Sequence, residues 1–136
     1  LREAGDAGIG SYGAFARFAA RAHAAGANWV GASPFHALPP VSRSRASPYQ
    51  PSDRRFLEPA LLEVPGLPAG DAALVDWPGV WALKRAALFK RFLAAPPGPP
   101  PDDPALLRFA AFCTIAEREG HEDAARWPAG LRHGAD

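Results

Sequence analysis

Hydrophobic positions recur at helical spacing from Tyr12 to Ala25, where Phe15, Phe18, Ala19 and Ala22 share one face and Arg17, Arg21 and His23 fall mostly elsewhere. This pattern predicts an amphipathic helix packed on a sheet. Gly26 follows, a residue free to take the left-handed backbone that closes a helix. Trp29 and Val30 come next and begin a predicted short buried strand in the first half of the stretch from Gly26 to Gln50. Helix, glycine turn and buried strand make half of a βαβ unit, so the pattern predicts an α/β fold with a parallel sheet. The strand expected before the helix would end near Leu1 and Arg2, so the chain is expected to enter in mid-element.

The pattern changes after Leu38. Residues 39–59 are rich in Pro, Ser and Arg (Arg43, Arg45, Arg54, Arg55), a composition that predicts an irregular loop reaching into solvent. Loops this long inside a compact domain are usually functional or disordered. Leu57 to Val64 is apolar enough for a second short strand, closed by Pro65, Gly66, Leu67 and Pro68. A helix is predicted from about Pro78 to Ala95 behind Asp76 as N-cap. Its apolar face is Val80, Trp81, Leu83, Ala87, Leu88 and Phe92, with Lys84, Arg85, Lys90 and Arg91 off that face or at its edge. The Pro-rich run 96–101 reads as a stiff linker. Asp102 or Asp103 then caps a helix to about Glu119, its core side formed by Leu106, Leu107, Ala110, Cys113 and Ile115. The stretch from Ala125 to Arg132 reads as turns anchored by Trp127.

Composition narrows the function classes. The 136 residues are 48% hydrophobic and 21% charged, and 15 basic against 14 acidic residues leave a formal charge of +1. The charges are interspersed, with no basic stripe of the kind a nucleic-acid surface needs, so no nucleic-acid partner is expected. The lone Cys113 excludes an internal disulfide and a multi-cysteine metal site, and its apolar neighbours predict a small buried thiol. No apolar run approaches the roughly 18 to 20 residues that span a bilayer, and no secretory leader pattern is present, so the expectation is no membrane partner and a cytoplasmic setting. The chain has no Met and opens on Leu1, which fits a piece of a larger protein.

Several motifs with chemical potential fail on context. Gly8-Ile9-Gly10-Ser11-Tyr12-Gly13 matches the dinucleotide-binding turn by letter, but no apolar strand precedes it and no acid for a ribose stands in Asn28 to Ser33. The simpler reading is a glycine-shaped turn feeding a helix. His23, His36, His121 and His133 do not share a metal-ligand spacing. Ser47 and His36 could approach each other, yet nothing marks Ser47 as a strained nucleophile. The loop acids Asp53 and Glu58 stand among Arg residues and are expected to be neutralised, so the loop holds no carboxylate pair for glycosidic cleavage. The loop does offer Tyr49, between Pro48 and Gln50, whose ring suits the apolar face of a sugar, with Ser47 and Gln50 beside it for hydroxyls. The alternative role of Tyr49 is a loop anchor packed on its own core.

These segments, taken together, resemble a known family. Leu1-Arg2, Gly8 to Gly13, Ala24 to Val30, Ser33 to Leu38, Ala46-Ser47-Pro48-Tyr49-Gln50-Pro51-Ser52 and Arg54-Arg55-Phe56-Leu57 resemble, in order and spacing, the opening of the amylomaltases, the 4-α-glucanotransferases of glycoside hydrolase family 77. Val75-Asp76-Trp77, Trp81 to Lys84, Phe109 to Phe112 and Arg126-Trp127-Pro128 are similar too, so the resemblance covers nearly the whole chain.

The resemblance implies the N-terminal part of a (β/α)₈ TIM barrel with an inserted helical subdomain. Residues 1–68 would form the first βα units with the substrate-lining loop 39–56, and residues 69–136 the helical insertion with the linker 96–101. It implies transfer of α-1,4-glucan segments between maltooligosaccharides through a covalent glycosyl intermediate on an Asp, without a cofactor. Tyr49 would match the tyrosine that packs against sugar in the donor subsite, Ser47 would line the same loop, and His36 would sit at the end of the second barrel strand. Ala7 stands where the family usually has Trp, and Glu58 where it has Asn. The family's catalytic carboxylates would fall outside these residues, so the isolated chain is expected to be inactive. A non-catalytic carbohydrate-binding or structural fragment is the alternative reading.

Overall fold

The computed structural model describes residues 2–3, 5–33, 35–47, 49–70, 73–95 and 98–132. Leu1 of the expected preceding strand, Pro34 and Pro48 of the motif segments, Pro96 and Pro97 of the linker, and His133 to Asp136 lie outside the described residues. Helix α1 spans Tyr12–Ala24, strand β1 His36–Ala37, strand β2 Asp53–Leu57, helix α2 Trp77–Ala94, helix α3 Pro104–Glu119 and the short helix α4 Ala129–Arg132. Single 3₁₀ turns cover Pro59–Leu61 and Ala124–Arg126.

The glycine segment before α1 is a turn, as the simpler reading of it has it. Gly8 and Gly10 take φ of 82° and 86°, a conformation open to residues without a side chain. A Cβ at Gly70 would lie 2.5 Å from the Gly8 Cα, so the two backbones pass at a distance only glycine permits. Ser11 then caps α1, its Oγ accepting from the Ala14 N–H at 3.0 Å. At the other end Gly26 has φ 95°, the Ala27 N–H reaches the Ala22 carbonyl and the Gly26 N–H the His23 carbonyl. That pair of bonds is a Schellman closure and explains why the helix stops where the sequence predicts.

The strands fall elsewhere than predicted. Trp29 and Val30 are not in a strand, and Trp29 is 93% exposed. A buried strand needs partners for its backbone N–H and C=O groups, and among the described residues no backbone hydrogen bond reaches Trp29 or Val30. The sheet is instead a two-stranded antiparallel one, β1 with β2, pairing His36 with Leu57 and Ala37 with Asp53 across an irregular register. Strand β2 thus lies inside the segment expected to be irregular, and Leu57 to Val64 is not the strand. Pro59, which has no N–H to donate, ends β2 and opens the 3₁₀ turn, with the Glu58 carboxylate accepting from the Ala60 N–H at 2.9 Å.

Both later helices have the predicted caps. Asp76 accepts from the Gly79 N–H at 3.1 Å, and Asp103 from the N–H groups of Ala105 and Leu106. Gly120, φ 74°, closes α3. The faces differ from the pattern, however. On α2, Val80 and Lys84 are the buried positions, while Leu83 and Phe92 are exposed. Lys84 was expected at the edge of the apolar face; its stem is buried and its ammonium donates to the Leu62 carbonyl at 3.0 Å, tying α2 to the end of the 3₁₀ turn. Burial lowers the Lys84 pKa. The core gathers Ala37, Leu38, Ala60, Val64, Val80, Ala116 and Trp127. Trp127 is fully buried, as its anchoring role requires, tilted against Phe112 at 5.6 Å between centroids and donating from Nε1 to the His121 carbonyl at 3.1 Å.

Candidate functional site

The loop between β1 and β2 carries Ser47 and Tyr49, and its stiffness comes from its two ends. Glu58, immediately after β2, is 1% exposed. Its carboxylate accepts from the Leu38 N–H at 2.7 Å and from Arg43 at 2.6 Å, in addition to Ala60. Its backbone N–H reaches the Phe35 carbonyl at 2.8 Å, and its own carbonyl accepts from the Tyr12 hydroxyl at 2.8 Å. One residue therefore joins both ends of the loop to α1. Burial, with the Glu58 charge adding to it, pushes the Tyr12 phenol up to about 12.

Arg43 is buried with Glu58, and its guanidinium lies 4.0 Å over the Trp81 ring, which attaches the loop to α2. Farther along, Glu122 receives the loop from the α3 side: its carboxylate accepts from the N–H groups of Val41 at 3.0 Å and Ser42 at 2.7 Å, and from the Ser42 hydroxyl at 3.0 Å. Burial by itself would raise the Glu122 carboxyl, but these donors outweigh it and hold it below the usual carboxylate range. Ser52 closes the loop by donating its N–H to the Ala37 carbonyl at 2.8 Å.

On this frame the Tyr49 side chain is 85% exposed, so it is not packed on its own core. The Ser47 hydroxyl accepts from the Tyr49 N–H at 3.3 Å, and the Gln50 N–H reaches the Ser47 carbonyl at 3.2 Å, a turn that shapes the loop tip. Ser47 and His36 share no hydrogen bond, so no Ser–His pair forms; His36 is half-buried on β1. The loop acids are engaged as expected. Arg55 clasps Asp53 through Nη2 at 2.7 Å and Nε at 3.1 Å, holding the Asp53 carboxyl below its ordinary value, and Glu58 is taken by Arg43. Among the described residues no group of His, Cys, Asp and Glu could hold a metal ion. No described helix is long and apolar enough to cross a membrane. Cys113 is half-buried, less enclosed than predicted, and burial pushes its thiol up to about 11.

The family described as 4-alpha-glucanotransferase, glycoside hydrolase family 77, matches residues 1–136. The chain belongs to this family. It is 34% identical to a 4-alpha-glucanotransferase of Mycobacterium tuberculosis and to one of Mycobacterium bovis, over 87% of this chain and 21% of each relative. A 4-alpha-glucanotransferase of Haemophilus influenzae is 38% identical over 50% of this chain and 10% of its own length. The chain thus spans about a fifth of the length of the first of these curated relatives. No solved structure matches it.

Within this glucanotransferase-family segment, Tyr49 and Ser47 stand at the tip of the β1–β2 loop and Glu58, Arg43 and Glu122 at its base. Sequence reasoning singled out the tip and missed the base as a site feature. Glu58 had a signal, since it precedes a Pro and stands among Arg residues. Glu122 had none, because its partners are backbone groups 80 and 81 positions away.

Proposed function

We propose that these residues are part of a 4-α-glucanotransferase that moves α-1,4-glucan segments between maltooligosaccharides by a retaining double displacement. The family match over all of residues 1–136 carries this reading. In such a mechanism one carboxylate takes the glycosyl unit covalently while a second protonates the leaving oxygen, and a sugar hydroxyl then attacks in place of water. The acids that flank this loop segment, Asp53 at the start of β2 and Glu58 just after it, are committed to Arg55 and Arg43, so the part assigned to this chain is binding. Tyr49 offers an exposed ring to the apolar face of a glucosyl unit, and Ser47 a hydroxyl beside it. A loop fixed at both ends lowers the cost of ordering Tyr49 when a glucan arrives.

In the same reading residues 1–68 are the first βα units of a (β/α)₈ barrel, residues 69–136 a helical insertion, and the protein is cytoplasmic. The catalytic carboxylates come from outside these residues. The 136-residue chain incubated with maltotriose should therefore yield no glucose and no longer glucans above a buffer control. Products above that control would overturn the assignment of a binding role alone.

A further inference from the structure

A groove of about 250 Å³ runs between the start of β2 and α3, lined by Ser52, Asp53 and Arg55 on one side and Arg108, Phe109 and Phe112 on the other. Its aromatic wall is fixed by packing: Phe109 is stacked on Phe56 at 4.7 Å between centroids and 15° between planes, and Phe112 follows it at 6.2 Å and 20°. Its polar wall is fixed too, because Asp53 and Arg55 hold each other through the fork described above. Arg108 is different. Its side chain is exposed and makes no hydrogen bond or ion pair among the described residues, which leaves its guanidinium donors available.

We infer that this groove is a further glucosyl subsite, one that engages the same α-1,4-glucan as Tyr49. The inference rests on the glucan reading of the Tyr49 loop. Rings beside a preset carboxylate–guanidinium fork suit a neutral sugar, which presents apolar C–H faces and a rim of hydroxyls that both donate and accept. The Arg55 charge is already taken up by Asp53, so the groove is a poor match for an anion that would need both guanidinium groups. Position supports continuity: Ser52 is three residues past Tyr49, so their Cα atoms are at most about 11 Å apart, within reach of a short oligosaccharide. A glucan long enough to touch both places gains from the second contact without a second encounter.

The test is an amide shift titration of the isotopically labelled 136-residue chain with maltotriose and with maltoheptaose. Maltoheptaose is expected to shift the amides of Ser52, Asp53, Arg108 and Phe112 as well as those of the Tyr49 loop, and to bind about fivefold more tightly than maltotriose. Arg108→Gln should reduce that length advantage to less than twofold, with the maltotriose shifts at residues 47–50 intact. Shifts confined to the Tyr49 loop, or a length advantage unchanged in Arg108→Gln, would overturn the groove subsite and leave the loop reading standing. If glucose 1-phosphate alone moved the groove amides, the site would be an anion site and the inference wrong. No shift anywhere with either sugar would remove both readings. The shift map of the unaltered chain decides the matter even if the variant folds poorly.

Discussion

Replacing Glu58 by Ala is expected to be the most damaging single change in the loop frame. It removes the acceptor of two backbone N–H groups, those of Leu38 and Ala60, and leaves the Arg43 guanidinium buried opposite nothing. Breaking one side of a buried ion pair costs about 3–5 kcal/mol. Each buried donor left without a partner costs about 1–3 kcal/mol, though these terms overlap because Arg43 and the two amides share one carboxylate. A net loss of about 4 kcal/mol follows, a large part of the 5–15 kcal/mol that holds an ordinary domain together. Urea unfolding followed by tryptophan fluorescence is the suitable assay, because Trp81 lies 4.0 Å under the Arg43 guanidinium and reports on the same contact. The cycle Glu58→Ala, Arg43→Met and the double variant should give a coupling energy of about 2 kcal/mol or more. The double variant should recover part of the loss, since the uncompensated cation is gone, while the amides of Leu38 and Ala60 remain unsatisfied. A Glu58→Ala variant within about 0.5 kcal/mol of the parent chain would refute the claim that this carboxylate fixes the loop.

Other consequences can be checked on the same chain. Glu122 titrates below its unfolded value, so its hold on the loop is complete above the usual carboxylate range and is lost as pH falls through the folded value; hydrogen exchange at Val41 and Ser42 should accelerate in that acid window, beyond the intrinsic trend, and Glu122→Gln should remove the step. Lys84→Met, which keeps the buried stem and discards the costly ammonium, should change stability by no more than about 1 kcal/mol, whereas Lys84→Ala should lose about 2–3 kcal/mol through the cavity it opens; equal urea midpoints for the two would contradict the packing role. Cys113, with its thiol at about 11, should alkylate slowly with iodoacetamide at neutral pH in the native chain and readily in urea.

The parts of this fold that were legible in the sequence are those decided by local chemistry. Asp76 and Asp103 cap because a short carboxylate before a Pro-led turn can reach free N–H groups, and Gly26 closes α1 because it tolerates positive φ. For Tyr49 the turn formers around it left two readings, an open ring or an anchor packed on its own core, and its 85% exposure selects the open ring. What was hidden depends on partners far along the chain. Asp53, Arg54 and Arg55 read as solvent-facing loop, yet they lie in a strand because its two ends, Asp53 and Leu57, pair with Ala37 and His36 of β1, and a strand exposed on one side tolerates charge. Lys84 read as off the apolar face or at its edge; its place in the interior depends on the Leu62 carbonyl, 22 residues away, being there to accept a hydrogen bond from its ammonium. Trp29 and Val30 looked like a buried strand from composition alone, and composition does not supply the neighbouring backbone that a strand requires.

The central claim is that Tyr49 grips a glucosyl unit for a 4-α-glucanotransferase. Its most direct test is the maltotriose disproportionation of the complete coding sequence that contains these residues, with and without Tyr49→Ala. The parent protein should release glucose and longer glucans, and Tyr49→Ala should lower kcat/KM at least about tenfold, the loss expected for one aromatic contact with substrate, while its urea midpoint stays unchanged because the ring is exposed. An unaltered kcat/KM in the variant, or a complete protein without transfer activity, would contradict the account.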